Sequence, residues 1–269
     1  MIHIAITINK DFILPASVML TSLLENNNKN KIHVHILTDT KSFHLNLLKR
    51  TISKYNNSYS FYYLDNEFIQ KMEDFTLSAH ADYANYFRIF ISDIIDPSIK
   101  KILYLDVDII VCADLLELYN TDLSDNAIAA VYDDNAEYKI KLGIPSNYGY
   151  FNSGVLLMNL NYFRKYQLVK TLTHYIKNNQ EKLNCWDQDA LNAVLYDKCI
   201  QLSPIWNVTY FIVLQHPDIK PNIVHFTGMH KAWHPHYCEH PYKQLYFEYL
   251  KKDVFLKLLN RYFAPKSHR

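Results

Sequence analysis

Glycine is scarce in this chain, which has only four glycines among 269 residues. Neither GxGxxG nor GxxxxGK(S/T) occurs, so the sequence supports neither a dinucleotide-binding fingerprint nor a P-loop. The four cysteines include no CxxC pair, which argues against a zinc ribbon and against a dense disulfide scaffold. Every apolar run falls short of the length that spans a bilayer. A chain of this length still buries an ample core without disulfides or a structural metal.

The charges nearly cancel, at a formal net charge of +1, so no global field draws the chain to nucleic acid. The N-terminal segment Met1–Asp11 lacks the basic region and the small-residue cleavage site of a signal peptide. We therefore expect this segment to form the first core strand. Together these features predict a cytoplasmic protein that does not bind nucleic acid.

Apolar runs alternate with segments of helical spacing along the chain. The predicted strands are Ile2–Ile8, Ile32–Leu37, Tyr59–Leu64, Ile102–Leu105, Ala127–Val131, Gly154–Leu160 and Ile223–Thr227. The predicted helices are Ile13–Leu24, Ser42–Tyr55, Tyr83–Ile95, Leu168–Asn178 and Trp186–Leu195. Such alternation implies parallel pairing in a doubly wound sheet, which binds ligands outside the carboxyl ends of its strands.

The most informative stretch is Lys101–Val111, an apolar run that carries Asp106 and Asp108 in its middle. An ionised carboxylate buried without a partner is very costly, so two of them need a cation, strong donors or an exit to solvent. Residues two apart share one face of a strand, and the pair can reach one ligand if the strand leaves the sheet there. A divalent metal that holds a phosphorylated substrate would use both carboxylates.

Five stretches follow one another in an informative order, and they are Tyr86–Arg88, Tyr104–Asp108, Tyr150–Leu157, Trp186–Asn192 and His225–Trp233. In that order they closely resemble glycosyltransferase family 8, which includes bacterial lipooligosaccharide galactosyltransferases and glucosyltransferases and the glycogenins. The resemblance implies a GT-A fold, a Rossmann-like α/β fold with a mixed, mostly parallel sheet flanked by helices. It also implies UDP-galactose or UDP-glucose as the donor, retention of anomeric configuration, and Mn²⁺ as the metal, with Mg²⁺ as the alternative.

The resemblance assigns three metal ligands, which are Asp106, Asp108 and His225. Taken alone, a histidine in a short apolar strand is more often a core residue than a ligand. A shell of carboxylates and imidazole suits manganese better than calcium, which prefers oxygen ligands only. By the same resemblance Asp106 also contacts the donor, while Gly228 and Lys231 approach its diphosphate. The family's loop usually reads Lys-Pro-Trp, whereas this chain has Ala232 in the middle position.

The resemblance also places residues around the nucleotide and the sugar. Uridine would be held by Thr7, Asn9 and Phe12, with the Phe12 ring stacked on the base, although core packing is the alternative for that ring. The sugar and its phosphate would be contacted by Arg88, Asn152, Asp187 and Gln188. A surface salt bridge is the alternative for Arg88. Gln188 would lie near the anomeric carbon, but an amide is a poor nucleophile. We therefore favour a same-face mechanism in which the leaving phosphate takes the acceptor proton.

We expect a catalytic domain over residues 1–240 and a C-terminal tail over residues 241–269. From Tyr249 onward the tail has helical spacing and an excess of basic residues. Its apolar face would be Phe255, Leu258, Leu259, Tyr262 and Phe263. Such a helix either packs on the core or lies on an anionic membrane, and a glycolipid acceptor favours the membrane at its inner face.

The leading hypothesis is a metal-dependent, retaining hexosyltransferase. It would move galactose or glucose to an oligosaccharide or glycolipid acceptor, in lipopolysaccharide, lipooligosaccharide or another surface glycan. A nucleotidyltransferase also uses paired aspartates and a metal, but it needs phosphate-cradling glycine runs that the sequence lacks. The non-enzymatic alternative is a degenerate sugar-nucleotide or glycan-binding module. It predicts damaged site residues, whereas all the aligned residues are chemically competent.

Overall fold

The computed structural model describes residues 1–73, 75, 83–133, 136–234 and 238–252. The strands of this part are β1 (Ile2–Ile8), β2 (Ile32–Thr38), β3 (Ser58–Tyr63), β4 (Lys101–Leu105), β5 (Ile109–Val111), β6 (Ile128–Tyr132), β7 (Phe151–Asn159), β8 (Cys199–Gln201) and β9 (Ile223–His225). Its α-helices are α1 (Ile13–Asn26), α2 (Asn46–Lys54), α3 (Asn66–Gln70), α4 (Tyr83–Tyr86), α5 (Ile91–Ile94), α6 (Leu116–Tyr119), α7 (Ala136–Leu142), α8 (Leu160–Lys165), α9 (Leu168–Asn178), α10 (Trp186–Leu195), α11 (Tyr210–Gln215) and α12 (Lys243–Lys252).

The larger sheet has seven strands in the order β3-β2-β1-β4-β7-β6-β8. Strand β7 is antiparallel to both of its neighbours, β4 and β6, and the other pairs are parallel. This arrangement confirms the predicted mixed, mostly parallel α/β sheet. The simpler expectation of parallel pairing throughout was wrong at β7. The connection after β6 stays at the end of the sheet where β6 finishes. Strand β7 therefore runs back antiparallel to β6, and no crossover connection is needed.

Two of the predicted helices differ from the observed elements. The predicted helix Tyr83–Ile95 is broken, because α4 and α5 flank a 3-10 turn at Phe87–Phe90 whose four side chains are all buried. The predicted helix Ser42–Tyr55 opens as a 3-10 turn at Phe43–Leu45, and the Ser42 hydroxyl accepts the His44 N–H as a cap. The buried segment Phe87–Phe90 follows its tertiary contacts more than its own helical periodicity, whereas the start of the second helix is set by the local Ser42 cap.

Each face of the larger sheet carries its own apolar core. Along β1, Ile4, Ile6 and Ile8 face the layer that contains α1 and α2, whereas Ala5 faces the layer that contains α8, α9 and α10. This alternation follows from the two-residue period of a strand. Because helices cover both faces, polar residues that need a ligand or solvent are left to the strand ends.

The apolar run Lys101–Val111 forms two strands that belong to two different sheets. Strand β4 lies in the larger sheet, and β5 pairs antiparallel with β9 in a two-stranded sheet. The bend between β4 and β5 holds Asp106 and Asp108. Strand β9 ends at His225, before the predicted end at Thr227. The change of sheet therefore takes both carboxylates out of the strand and brings His225 beside them.

Helix α12 packs against α1 near the C-terminal end of the described chain. The Asn26 amide donates to the Tyr249 hydroxyl across this contact at 2.7 Å. The helix begins at Lys243, ahead of the predicted start at Tyr249. The predicted apolar face, from Phe255 to Phe263, lies outside the described residues. Within the described part of the chain, no helix is long and apolar enough to cross a membrane.

Three histidines on β1 and β2 form a partly buried cluster with a tyrosine of β3, and His35 is its one fully buried member. His3 Nδ1 lies 3.0 Å from His35 Nε2, and His35 Nδ1 lies 2.9 Å from the Tyr62 hydroxyl. The rings of His33 and His35 are 4.5 Å apart. Burial lowers the pKa of all three imidazoles, and burial together with the other two imidazoles lowers the pKa of His35 to about 3. The cluster is therefore neutral in the folded protein near neutral pH.

We expect acid to destabilise the fold through this histidine cluster. An unfolded histidine titrates near pH 6.5, so the unfolded chain binds protons first as the pH falls below that value. For His35 the loss of stability continues down to its folded pKa of about 3. The slope per group reaches at most about 1.4 kcal/mol per pH unit. Unfolding midpoints measured across this range should fall less steeply for His35→Gln than for the wild type. The exposed His44→Gln is the control, and equal slopes for all three proteins would contradict this expectation.

Candidate active site

Asp106, Asp108 and His225 converge beyond the carboxyl end of β4, and we call them the Asp–Asp–His cluster. His225 Nε2 lies 3.3 Å from Asp108 Oδ1 and 3.8 Å from Asp106 Oδ2. One ligand atom from each residue lies within 4.8 Å of the other two. Asp108 and His225 are buried, while Asp106 is partly open to solvent. Such separations match the spacing of donors around one cation whose metal–ligand bonds measure about 2.0–2.6 Å.

A chain of hydrogen bonds behind the cluster determines the tautomer of His225. The Gly154 N–H can only donate, and it donates to Asn152 Oδ1 at 2.9 Å. The same oxygen accepts from the Asn207 amide nitrogen at 2.9 Å, so Asn207 Oδ1 faces His225 Nδ1 at 2.8 Å. His225 Nδ1 must therefore carry a hydrogen, and Nε2 is the ring nitrogen that faces the two carboxylates. Histidines that bind metals in proteins are commonly oriented in this way.

Gly154 on β7 forms one wall of the cluster. A Cβ atom at this position would overlap the His225 ring and would lie 2.8 Å from Asp106 Oδ2. The Gly154 carbonyl also accepts the Asp106 N–H at 2.8 Å. Only a residue without a side chain lets β7 approach the two ligands this closely.

Lys231 lies against the cluster and pairs with one of its carboxylates. Its ammonium is 2.5 Å from Asp108 Oδ2 and donates to the Phe226 carbonyl at 3.2 Å. Burial alone would raise the pKa of Asp108, but Lys231 and His225 outweigh burial and hold that pKa well below its usual range. Asp108 is therefore ionised in the folded protein, and Lys231 is its counter-charge.

Arg88 is buried between two carboxylates. Its Nη2 lies 3.0 Å from Asp106 Oδ1, and its Nε lies 2.9 Å from Asp187 Oδ2. Its Nη1 donates to the Ser153 carbonyl at 2.8 Å and to the Ser153 hydroxyl at 3.0 Å. Burial by itself would lower the pKa of Arg88, but Asp106 and Asp187 raise it above its ordinary value. The guanidinium is thus a permanent positive charge inside the protein, and the surface salt bridge considered for Arg88 is excluded.

Asp187, in the first turn of α10, has an unused acceptor. Its Oδ2 atom is buried and accepts no hydrogen bond from any described residue. Arg88 Nε is close, but that N–H donates to the Asn85 carbonyl instead. Burial raises the pKa of the Asp187 carboxyl to about 7, against the opposing effect of Arg88, whose single charge is shared with Asp106. Buried polar atoms are nearly always satisfied, and this oxygen is compensated only by the nearby charge of Arg88.

The start of α10 has an uncommon backbone conformation. Trp186 has a φ of 47°, in the left-handed region. A non-glycine residue adopts this region at a cost of roughly 1–2 kcal/mol. The N–H groups of Asn184 and Cys185, just before it, each donate to the Asp189 carboxylate at 2.6 Å. These contacts hold the turn that directs Gln188 toward β7, where its Oε1 accepts a backbone N–H at 2.9 Å.

Thr7 and Asn9, which the sequence predicts to bind uridine, lie at the carboxyl end of β1. The Thr7 hydroxyl is 3.0 Å from the Tyr104 hydroxyl, which donates to Asp106 Oδ1 at 2.6 Å. Asn9 Oδ1 accepts two backbone N–H groups and so caps the turn that leads into α1. Thr7 is therefore connected to the Asp–Asp–His cluster through one tyrosine.

The loop after β9 meets the start of α1 through two aromatic rings. The Phe12 ring contacts the Trp233 ring edge-on, with centroids 5.9 Å apart. Gly228, in the same loop, has a φ of 79°. No described atom lies within 4 Å of a Cβ placed on Gly228, so its backbone borders open space. The structure thus brings Phe12, Gly228 and Lys231 to the same end of the molecule as the cluster.

The donor set of the cluster fits a small divalent cation. Two carboxylates with one imidazole suit Mn²⁺, which accepts both oxygen and nitrogen ligands. The Lys231 ammonium already places a positive charge against Asp108. Among the described residues, this is the one group of three or more acidic, histidine or cysteine side chains whose ligand atoms lie close enough to share an ion. Asp106, Asp108 and His225 are therefore the residues that would hold a metal.

Sequence reasoning missed several residues that support the site, namely Tyr104, Tyr150, Ser153, Asp189 and Asn207. Tyr104 was within reach, because it precedes Asp106 by two positions and shares its strand face. Ser153 and Tyr150 lie inside one of the five stretches, where only Asn152 had been given a role. Asn207 carried no local signal, because its contact with His225 depends on the pairing of Val208 with β9.

Comparison with known proteins agrees with this geometry. The model of "Glycosyl transferase family 8" matches residues 3–236. General stress protein A of Bacillus subtilis is 34% identical over 191 residues, which cover 64% of this chain and 66% of that protein. The lipopolysaccharide 1,3-galactosyltransferase of Salmonella typhimurium is 26% identical over 248 residues, which cover 86% of this chain and 73% of that protein. The chain thus spans just under two thirds of the Bacillus relative's length.

Solved structures show the same fold. The galactosyltransferase LgtC, in complex with donor and acceptor sugar analogues, aligns with a TM-score of 0.85 at 23% identity, over 94% of this chain and 96% of that one. The glycosyltransferase GlyE of Streptococcus pneumoniae aligns with a TM-score of 0.71 at 21% identity, over 99% of this chain and 65% of that one. This likeness establishes the GT-A fold. With a family model that matches most of its length, this chain belongs to glycosyltransferase family 8.

Proposed function

We propose that this protein is a metal-dependent, retaining hexosyltransferase that moves galactose or glucose from a UDP-sugar to a saccharide acceptor. The convergence of Asp106, Asp108 and His225 beside Arg88 and the unsatisfied Asp187 carries the proposal. A cation site can hold a diphosphate, and the buried Asp187 oxygen beside it can accept a hydrogen bond from a sugar hydroxyl. The two together suit a sugar nucleotide, which has both groups. Relatives named for galactose and glucose transfer to lipopolysaccharide support a surface glycan as the acceptor.

The nucleotide end of the donor would lie between β1 and the loop after β9. Mn²⁺ or Mg²⁺ held by the Asp–Asp–His cluster would supply positive charge to the diphosphate. Lys231 would leave Asp108 and neutralise the same phosphates, beside the open backbone at Gly228. Thr7 and Asn9 would bind uridine, and the Phe12 ring would pack on the base.

The sugar end of the donor would lie between β7 and α10. Asp187 Oδ2 would accept a sugar hydroxyl and so gain the hydrogen bond that the protein alone does not provide. The side-chain oxygen of Asn152, Oδ1, already accepts hydrogen bonds from Asn207 and Gly154. The side-chain nitrogen, Nδ2, is left to donate to the sugar. Arg88 would add its fixed charge where the sugar and the phosphate meet.

We also propose that transfer occurs on one face of the sugar without a covalent enzyme intermediate. A double displacement needs a carboxylate nucleophile, as in retaining glycosidases. Gln188 is an amide, and the Asp187 carboxylate is held against Arg88. In the same-face route the bond from C1 to phosphate breaks while the acceptor oxygen bonds to C1, and the leaving phosphate oxygen takes the acceptor proton. A glycosyl adduct on Asp187 or Gln188, found by mass spectrometry of the intact protein, would overturn this mechanism.

A transfer experiment tests donor, acceptor and stereochemistry together. UDP-galactose or UDP-glucose is incubated with Mn²⁺ and a panel of oligosaccharide and lipooligosaccharide acceptors, and the product is examined by proton NMR. A small coupling between H1 and H2 of the new hexose shows an α-linkage, which is retention. A large coupling would contradict the retaining assignment. UDP binding without any product would instead support the sugar-nucleotide-binding module.

Replacing Lys231 with alanine should separate metal binding from turnover. The variant lacks the ammonium that pairs with Asp108, so the donor-free protein should bind Mn²⁺ more tightly than the wild type does. Turnover should fall about 10–100-fold, because the leaving diphosphate loses a cation. The paramagnetic resonance of free Mn²⁺ measures the first effect, and UDP release measures the second. The exposed Lys220→Ala is the control, and weaker Mn²⁺ binding by Lys231→Ala would contradict the role of the pair.

A further inference from the structure

The structure assigns a positioning role to Tyr150 and Asp189, two buried residues that sequence reasoning left without a role. We propose that they orient the amide of Gln188 so that it serves the reaction as an N–H donor and not as a nucleophile. This inference rests on the proposed function and specifies what one side chain of that site does.

Asp189 is the start of the hydrogen-bond chain, and its carboxylate accepts from two backbone N–H groups and one hydroxyl of the described residues. Its Oδ2 accepts the backbone N–H groups of Asn184 and Cys185. Its Oδ1 lies 2.6 Å from the Tyr150 hydroxyl. Both side chains are 1% exposed, so water does not compete for these contacts. Burial, followed by the effect of Asp189, raises the pKa of Tyr150 above its ordinary value, so the phenol keeps its proton and donates it to Asp189.

The Tyr150 contact then determines how the Gln188 amide is turned. A phenol has one hydrogen, and once Asp189 receives it the Tyr150 oxygen can only accept. The neighbour at 2.9 Å must therefore be Gln188 Nε2. Gln188 Oε1 then faces Ser153, whose N–H is 2.9 Å away and whose hydroxyl is 3.3 Å away. Because the Ser153 N–H can only donate, both ends of the chain require the same orientation of the amide.

The neighbours of Gln188 engage both lone pairs of its amide oxygen but only one hydrogen of its amide nitrogen. The Ser153 hydroxyl accepts from Arg88, so its own hydrogen is available to Gln188 Oε1. With the Ser153 N–H, both lone pairs of the amide oxygen are engaged. Tyr150 takes one hydrogen of Nε2, which leaves one N–H on this half-buried side chain. An oxygen with both lone pairs engaged is a poor attacking group, whereas a preorganised N–H can stabilise negative charge or hold a hydroxyl.

Two substitutions should disturb the orientation of the Gln188 amide with little change in side-chain shape. Tyr150→Phe removes the hydroxyl that anchors Gln188 Nε2. Asp189→Asn must keep its oxygen toward the Asn184 and Cys185 N–H groups, so its NH₂ faces Tyr150 and the phenol turns its hydrogen away, to Gln188 or to the Cys185 sulfur. Either way Tyr150 no longer receives its fixed orientation from Asp189, and a hydrogen turned to Gln188 sets an amide NH₂ against the Ser153 N–H. We expect kcat to fall up to about 100-fold in each variant, with a much smaller change in KM for the donor.

A matched control is available close by in the chain. Tyr148 precedes Tyr150 by two positions, and its ring contacts that of Tyr196 with centroids 5.0 Å apart. Tyr148→Phe removes a hydroxyl without touching the chain from Asp189 to Gln188, so its kcat should equal that of the wild type. A loss in Tyr148→Phe as large as that in Tyr150→Phe would show a general effect of lost tyrosine hydroxyls and would overturn the assignment.

A cycle with Gln188→Ala distinguishes positioning from a general structural role. If Tyr150 and Asp189 act through Gln188, then Tyr150→Phe and Asp189→Asn should change UDP release less than about twofold in Gln188→Ala protein. A further loss as large as that in the wild-type background would overturn the proposal.

The amide orientation has a readout that does not depend on turnover. In protein labelled with ¹⁵N-glutamine, the two Gln188 side-chain hydrogens should have well-separated NMR shifts, and these should move together in both variants. Unchanged resonances in Tyr150→Phe and Asp189→Asn would overturn the proposal. If the wild-type protein released UDP from no donor, the proposed function would fail, while the NMR spectra would still decide the orientation of Gln188.

Discussion

Replacing Asp108 with alanine should lower kcat/KM for hexosyl transfer at least about 1000-fold, which corresponds to about 4 kcal/mol of transition-state stabilisation. Asp108 contacts both His225 and Lys231, so its loss removes one metal ligand and the partner of a cation. A bound metal contributes several kcal/mol where charge develops on a leaving diphosphate. The effect should appear at every Mn²⁺ concentration, because the remaining Asp106 and His225 are too few to hold the ion in place.

Initial rates of UDP release over a range of donor and Mn²⁺ concentrations measure this effect. Asp122 is exposed and accepts hydrogen bonds from Ser124 of its own turn, so Asp122→Ala is the matched control. Circular dichroism shows whether each variant is folded. A folded Asp108→Ala protein that kept more than about one tenth of the wild-type kcat/KM would contradict the ligand assignment.

Replacing Gly154 with alanine should both destabilise the protein and abolish metal binding. The new methyl group would overlap the His225 ring and would press on Asp106 Oδ2, within a strand that is buried on both faces. Overpacking of this kind costs about 1–3 kcal/mol of folding free energy. A ligand displaced by about 1 Å lowers the rate by about 100-fold. Urea unfolding and Mn²⁺ binding measure the two consequences in the same preparation.

Gly143→Ala provides the control for this substitution. Gly143 has a φ of 72°, and no described atom lies within 4 Å of a Cβ placed there. Alanine at this position should cost about 1 kcal/mol through the backbone alone and should leave Mn²⁺ binding unchanged. If Gly154→Ala bound Mn²⁺ as tightly as Gly143→Ala does, the close approach of β7 to the cluster would have no functional meaning.

The strands of the sheet could be predicted from the sequence where an apolar run is uninterrupted, and less well where the chain bends from one sheet into another. Strand β1 was predicted with its observed bounds because an apolar, β-branched run has few other conformations. The two acids of Lys101–Val111 indicated that the first strand ends at Leu105, but nothing in the run indicated that Ile109–Val111 joins a second sheet, because both halves are equally apolar. The pairing of β5 with β9 brings together segments far apart in the chain, and neither segment has a local signal for it.

The site residues that carry a local sequence signal could be predicted, whereas those that depend on tertiary packing could not. Asp106 and Asp108 are conspicuous because two acids interrupt an apolar run, and His225 entered through the family resemblance. Arg88 looked like a surface residue by type, yet it is 6% exposed, because two carboxylates compensate its burial. The contacts of Tyr150 and Asp189 depend on how β7 meets α10. Sequence spacing carries no information about that packing angle.

Manganese-dependent UDP release tests the central claim most directly. The protein is incubated with UDP-galactose, UDP-glucose and several GDP-hexoses, with Mn²⁺ or with a chelator, and free nucleotide is measured. We expect release from one UDP-hexose that requires Mn²⁺ and is lost in Asp108→Ala. Release that persists in the chelator and in Asp108→Ala would contradict a metal-dependent transferase built on the Asp–Asp–His cluster.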